Sequence, residues 1–145
     1  MLSRTAEALF WIGIVHQVVR GDNAASLPFF EESYAKAAEL RDRKLMSYAV
    51  RHLGFVHDAA GRGDEAWAAF EESVRLRREE GFEPGVAAGL LTLGEVAAEQ
   101  GRPTLMFLTK EAVRLAVVGT AIGVACDGCP SIPDLMKRYQ DAGGA

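Results

Sequence analysis

Val50-Arg51-His52-Leu53-Gly54-Phe55-Val56-His57, followed after a Gly61-Arg62-Gly63-Asp64 break by Ala66-Trp67-Ala68-Ala69-Phe70-Glu71-Glu72-Ser73, is the stretch on which the fold turns. Val50, Leu53, Gly54 and His57 fall at i, i+3, i+4 and i+7, one face of a helix of 3.6 residues per turn. Ala66, Phe70 and Ser73 continue the same spacing beyond the break. The stretch therefore predicts two helices joined by a tight turn, with glycine at the left-handed residue that ends the first.

The pattern repeats on both sides. Gly13, Gly54 and Gly94 recur 41 and 40 residues apart, inside Ile12-Gly13, Leu53-Gly54 and Leu93-Gly94. Gly21, Gly61 and Gly101 follow at intervals of 40, and Glu31-Glu32-Ser33 is matched by Glu71-Glu72-Ser73 and, more loosely, by Lys110-Glu111-Ala112. Three parallel series at one period are the signature of a repeat architecture. Between units, Glu80-Gly81-Phe82-Glu83-Pro84 sets a helix-ending glycine before a proline suited to the first turn of the next helix, as Pro103 is in the third unit. Helices are expected at 4–20, 24–40, 44–60, 64–80, 84–100 and 104–124. A seventh, short one is expected after Ser131, with Pro133 in its first turn and Leu135, Met136 and Tyr139 as its apolar stripe.

The expected fold class is all-α, a right-handed superhelical stack of helix-turn-helix repeats. The whole chain, 1–145, is read as one domain, with repeats at about 5–41, 44–81 and 84–118 and a capping segment over 119–145. Half the residues are hydrophobic (49%) and the charged quarter is mixed in sign, which excludes the composition of a disordered chain. The net charge is −4, and the arginines sit among glutamates, as in Glu71 to Glu80. That run reads as a solvated face with Glu71 and Arg75 paired at i, i+4. It offers no one-signed basic stripe, so nucleic acid is not an expected partner.

At these residues the chain resembles the tetratricopeptide repeat family. That family's pattern places a large residue three before Leu-Gly, an aromatic three after the glycine, and Ala-x3-Phe in the second helix. The middle unit matches with Val50, Leu53-Gly54, His57 and Ala66-x3-Phe70, and the first with Leu9, Ile12-Gly13, His16 and Ser26-x3-Phe30. The third keeps Leu90 and Leu93-Gly94 but has Ala97 at the aromatic slot and Leu105-x3-Thr109 in place of Ala-x3-Phe. The resemblance covers about residues 5–115, and its period is similar to the longer variant of bacterial signalling and transcription-regulator proteins.

The resemblance implies a concave groove lined by first helices, which holds a peptide or helix of a partner protein. The groove positions carried over are Glu7, Phe10, Ile14 and Gln17, then Tyr48, Arg51, Phe55 and Asp58, then Ala88, Leu91, Glu95 and Ala98. Phe10, Ile14, Tyr48, Phe55 and Leu91 would form an apolar strip, which either receives a partner or packs internally. The family's basic clamp for a terminal carboxylate is absent: Phe10, Ile14, His52, Ala88 and Thr92 stand in its places. Arg51 and Asp58 read as an internal ion pair, and His16 and His57, in the aromatic slot, as packed imidazoles. The small residues Gly13, Gly54, Gly94, Ser26, Ser33, Ala66, Ser73 and Ala112 read as points of close helix approach. Self-association as a homodimer, through the groove or the C-terminal helices, is the alternative use of the open faces.

Cys126-x2-Cys129 supplies half of a tetrahedral zinc site, and no second half is present in one chain. The expectation is two plain thiols and no cofactor, with a zinc shared between two copies as the other reading. There is no phosphate-cradling glycine loop, no Ser/His/Asp order on a believable turn and no paired carboxylates in an expected cleft, so no enzymatic activity is expected. The longest apolar run, 115–126, is too short to cross a bilayer, and with no signal-like block near Met1 the expected location is cytoplasmic.

Overall fold

Five α-helices follow one another in the computed structural model, which describes residues 2–102 and Asp141. They are α1 (Leu2–Ile14, extended by a π-helical turn, Val15–Val19), α2 (Asn23–Glu39), α3 (Arg43–Ala59), α4 (Gly63–Glu79) and α5 (Glu83–Glu99), and no strand occurs among the described residues. From α2 to α5 each helix starts and ends one residue before its expected range. The reason is local: Leu40, Ala60, Glu80 and Gln100 sit at the C-caps, just outside the last hydrogen-bonded turn. The expected helices over 104–124 and after Ser131 lie outside the described residues, as do Cys126, Cys129 and Ala112.

Turn chemistry sets the helix ends. Asp22 and Asp42 cap α2 and α3 by accepting from the amides of Ala25 and Leu45, both at 2.9 Å. After α3, Gly61 takes a left-handed conformation (φ 74°), and the Arg62 and Gly61 amides donate to the carbonyls of His57 and Asp58. This is the Schellman arrangement, which satisfies carbonyls the helix end would otherwise orphan. The same pair of bonds closes α5 at Gly101 and α2 at Arg41, where a non-glycine residue holds φ 56°.

The first unit carries one residue more between its two glycines than the other units do: Gly13 to Gly21 against Gly54 to Gly61 and Gly94 to Gly101. That residue is absorbed in the π-helical turn. The Arg20 amide donates to Val15 O across five residues, and the Asp22 amide reaches His16 O across six, where Arg62 reaches His57 across five. A single-residue insertion is thus taken up without moving the glycine that ends the helix.

The chain divides into two compact units at Glu80. In the first, α1 packs on α2, α2 on α3, and α3 on α4, with α1 also touching α3. Gly13 and Gly54 explain the Leu-Gly and x3-Phe elements together. A Cβ on Gly54 would stand 2.5 Å from Cε1 of Phe70, and one on Gly13 would stand 2.6 Å from Cε1 of Phe30. Each phenylalanine of a second helix therefore lies flat in the notch its own first helix leaves by having no side chain there. Phe30 and Phe70 are fully buried in consequence.

Ser33 and Ser73 do more than keep a contact small. Their hydroxyls donate across the helix pair to the carbonyls of Ala6 and Ser47, both at 2.8 Å and both buried. Small size and hydrogen bonding together select serine at a position where alanine would fill the same space. One core cluster joins Ala6, Phe10, Phe30, Ala37, Leu45, Ala49 and Val56. A second, of Val50, Ala69 and Leu76, is reached by Tyr34 and Met46.

The run Glu71 to Glu80 is only half a solvated face. Ser73, Val74, Leu76 and Arg77 are buried, since they continue the stripe of Phe70 at i+3, i+4, i+6 and i+7. Arg75 does not pair with Glu71 as expected. It forms a two-pronged bond to Glu72 (2.6 and 2.7 Å) and a second contact to Glu79 (2.5 Å). In the second unit, α5 opens with Pro84 in its first turn, as expected, and buries Val86, Leu90, Leu93, Val96 and Ala97.

Candidate functional site

Between α1 and α3 the first unit opens a cleft of about 580 Å³, lined by Ser3, Glu7, Phe10, Trp11 and Ile14 on one side and Asp42, Lys44, Leu45, Tyr48 and His52 on the other. Helical spacing positions both walls: residues 3, 7, 10 and 14 share one face of α1, and 44, 45, 48 and 52 share one face of α3. The floor is Phe10, buried to 6% and ringed by Trp11, Phe30, Tyr48 and His52 at centroid distances of 5.4–6.1 Å. Glu7 and Lys44 are exposed at the rim.

Of the groove residues carried over by resemblance, Phe10, Ile14 and Tyr48 meet at this cleft together with Glu7. The strip is less open than the sequence suggested. Phe10 belongs to the core, and Ile14, Tyr48 and Phe55 are half-buried. Internal packing claims Phe10 because its ring spans the gap between Phe30 of α2 and Tyr48 of α3. Arg51 and Phe55 lie further along α3, with the Arg51 guanidinium 5.1 Å from the Phe55 ring centre and Phe55 edge-on to Phe70 at 5.0 Å. Asp58 is exposed at the end of α3. Leu91 and Glu95 are half-buried on α5, in the second unit.

Gln17 has turned inward. From the π-helical turn its amide nitrogen donates to His52 O and to Asn23 Oδ1, both at 3.1 Å, and its carbonyl oxygen accepts from His52 Nδ1 at 2.5 Å. The bond sets His52 as the Nδ1–H tautomer. The π-helical turn thereby ties α1 to α2 and α3 through the Gln17 side chain.

Sequence reasoning placed His52 only at a position of the missing clamp and Arg77 only within a solvated run. His52 stacks on Phe30 at 5.2 Å and meets Phe10 and Phe55 edge-on, at the centre of a continuous run of rings from Trp11 to Phe70. Arg77, 4% exposed, holds its guanidinium 5.4 Å from the Tyr48 ring centre, and burial pushes its pKa down. The signal for Arg77 was its place seven residues after Phe70, on the core stripe.

The other two histidines differ. His16 stacks flat on Phe29 at 5.2 Å, a packed imidazole as expected. His57 does not serve as an aromatic: Arg62 donates to its Nδ1 at 2.9 and 3.1 Å. That nitrogen is then an acceptor, so the Glu65 carboxylate 3.3 Å away is held by Arg62 at 2.8 Å and not by the ring.

Desolvation, helped by Arg51 and Arg77, lowers the His52 pKa from 6.5 to about 4. An unfolded chain takes up its proton as pH falls through 6.5, while the folded chain resists until about 4. The contribution to stability is therefore fully present above pH 6.5 and is lost as pH falls toward 4, amounting to as much as about 3 kcal/mol. Urea midpoints measured across this window are expected to fall more steeply for the wild type than for His52→Phe; equal slopes would show that His52 titrates normally.

Among the described residues no group of three His, Cys, Asp or Glu is placed to hold a metal ion, and no helix is long and apolar enough to cross a membrane. No family model, curated protein or solved structure matches the chain.

Proposed function

We propose that the cleft between α1 and α3 receives a helix or extended segment of a partner protein, and that the chain works as a protein-interaction module. The observation that carries this is the lining itself. An apolar and aromatic floor with a sparse charged rim, about 580 Å³ in volume, suits buried side chains anchored by a few polar contacts. Two of the polar groups in the lining are engaged structurally, Asp42 as the cap of α3 and His52 with Gln17, which favours binding over catalysis.

The proposal includes the larger architecture that the tetratricopeptide resemblance implies. There, helix pairs such as α1–α2 and α3–α4 form a right-handed stack whose first helices share one concave face, as in cytoplasmic bacterial regulators. The repeated Gly–Phe notches and Ser–carbonyl bonds of the first two pairs support it, because the same contacts recur at the same period.

Partner capture from lysate of the source cells tests the assignment, with Glu7→Arg as a rim variant and Tyr48→Ala as a floor variant. Tyr48→Ala is expected to reduce capture about tenfold or more, the loss expected when an aromatic anchor is removed, and Glu7→Arg to reduce it by a smaller factor, as a rim charge does. Undiminished capture by both variants, each with unchanged circular dichroism, would reject the cleft as the binding surface.

A further inference from the structure

Helix α1 is apolar on two opposite faces. Ala6, Phe10 and Gly13 form its buried side, yet Trp11, Ile12, Val15, Val18 and Val19 on the other side are 56, 42, 42, 65 and 74% exposed. Among the described residues only Leu40 joins them as an exposed large hydrophobic. At 100° per residue Ala8, Trp11, Ile12 and Val15 fall within one third of the helix circumference, and the π-helical turn adds Val18 and Val19 beyond them.

The molecule already contains a covered version of this surface. Moved along the chain by the 41-residue repeat, Ala8, Ile12 and Val15 become Ala49, Leu53 and Val56 of α3. Ala49 and Val56 are buried, and with Leu53 they pack in the cluster that includes Phe30 and Ala37 of α2. The outer stripe of α1 thus has the form of a face that accepts a helix once within this unit and stands bare here.

We infer that this stripe is where two copies of the chain meet, α1 crossing α1 of the partner near Ile12 and Val15. Area supports the occupant: the five exposed side chains leave on the order of 500 Å² open per copy, or about 1,000 Å² in a pair, the lower bound for a specific interface. The absence of charge supports it as well. From Ala8 to Val19 no residue is acidic or a lysine or arginine, so a two-fold axis brings like surfaces together without opposing like charges. A monomer would leave open a patch as large as monomeric proteins tolerate.

The test is the mass of the full chain by light scattering at micromolar concentration, for the wild type and for Val15→Glu. The expected result is a wild-type dimer and a monomeric Val15→Glu whose circular dichroism is unchanged, because Val15 is not part of the core. A Cys126→Ser/Cys129→Ser background carrying Val15→Cys should in addition cross-link as a dimer on oxidation. A wild-type monomer would overturn the inference, and so would a dimer that both ignores Val15→Glu and fails to cross-link. The cleft variant Glu7→Arg should remain dimeric, so failure of the cleft assignment and failure of this one read differently.

Discussion

Phe70→Ala is expected to lower the stability of the first unit by about 3–5 kcal/mol, a large part of the total free energy of a domain this size. The ring is 1% exposed, lies against the bare backbone of Gly54 and meets Phe55 edge-on at 5.0 Å. Truncation removes the ring from both contacts and leaves a cavity that glycine cannot fill, because it has no side chain to move into the space. Chemical denaturation measures the effect. A loss below about 1 kcal/mol would mean that α3 and α4 close over the gap, and the notch would then not be what holds the pair in register.

Gly54→Ala is expected to cost about 1–3 kcal/mol even though alanine is the better helix former. Two effects oppose each other. Helix propensity favours the substitution by about 1 kcal/mol. Against it, the new Cβ would stand 2.5 Å from Cε1 and 2.8 Å from Cδ1 of Phe70, a ring already bounded by Phe55. The ring cannot swing aside as the tip of a lysine could, so the helices must separate and the clash outweighs propensity. In the background of Phe70→Leu the clash is relieved, and Gly54→Ala should become neutral or mildly stabilising. That sign change in a double-mutant cycle isolates the contact from the propensity of either residue. Additive effects would place the cause elsewhere.

Much of this architecture was legible because the signals are local and repeated. Helix period, glycine at the C-terminal turns and the 40-residue interval each depend on residues close in sequence, and α2 to α5 appear one residue from their expected positions. Even the π-helical turn was written in the spacing of Gly13 and Gly21, as one residue too many. The cleft was legible in part. Phe10, Ile14 and Tyr48 line one cleft, and Phe10 is packed between α2 and α3.

What the sequence determined by itself is the run of helices α2 to α5 and the small residues at which they approach closely, because hydrogen-bond closure and hydrophobic periodicity act over a few residues. Tertiary structure alone decided the fate of individual side chains. It buried Arg77 over Tyr48, drew Gln17 inward to His52, moved Arg75 from Glu71 to Glu72 and Glu79, and left the outer stripe of α1 bare. The physical reason is that burial and pairing depend on which surfaces meet across helices distant in sequence. A residue's neighbours along the chain specify its helical face and leave open what that face will touch.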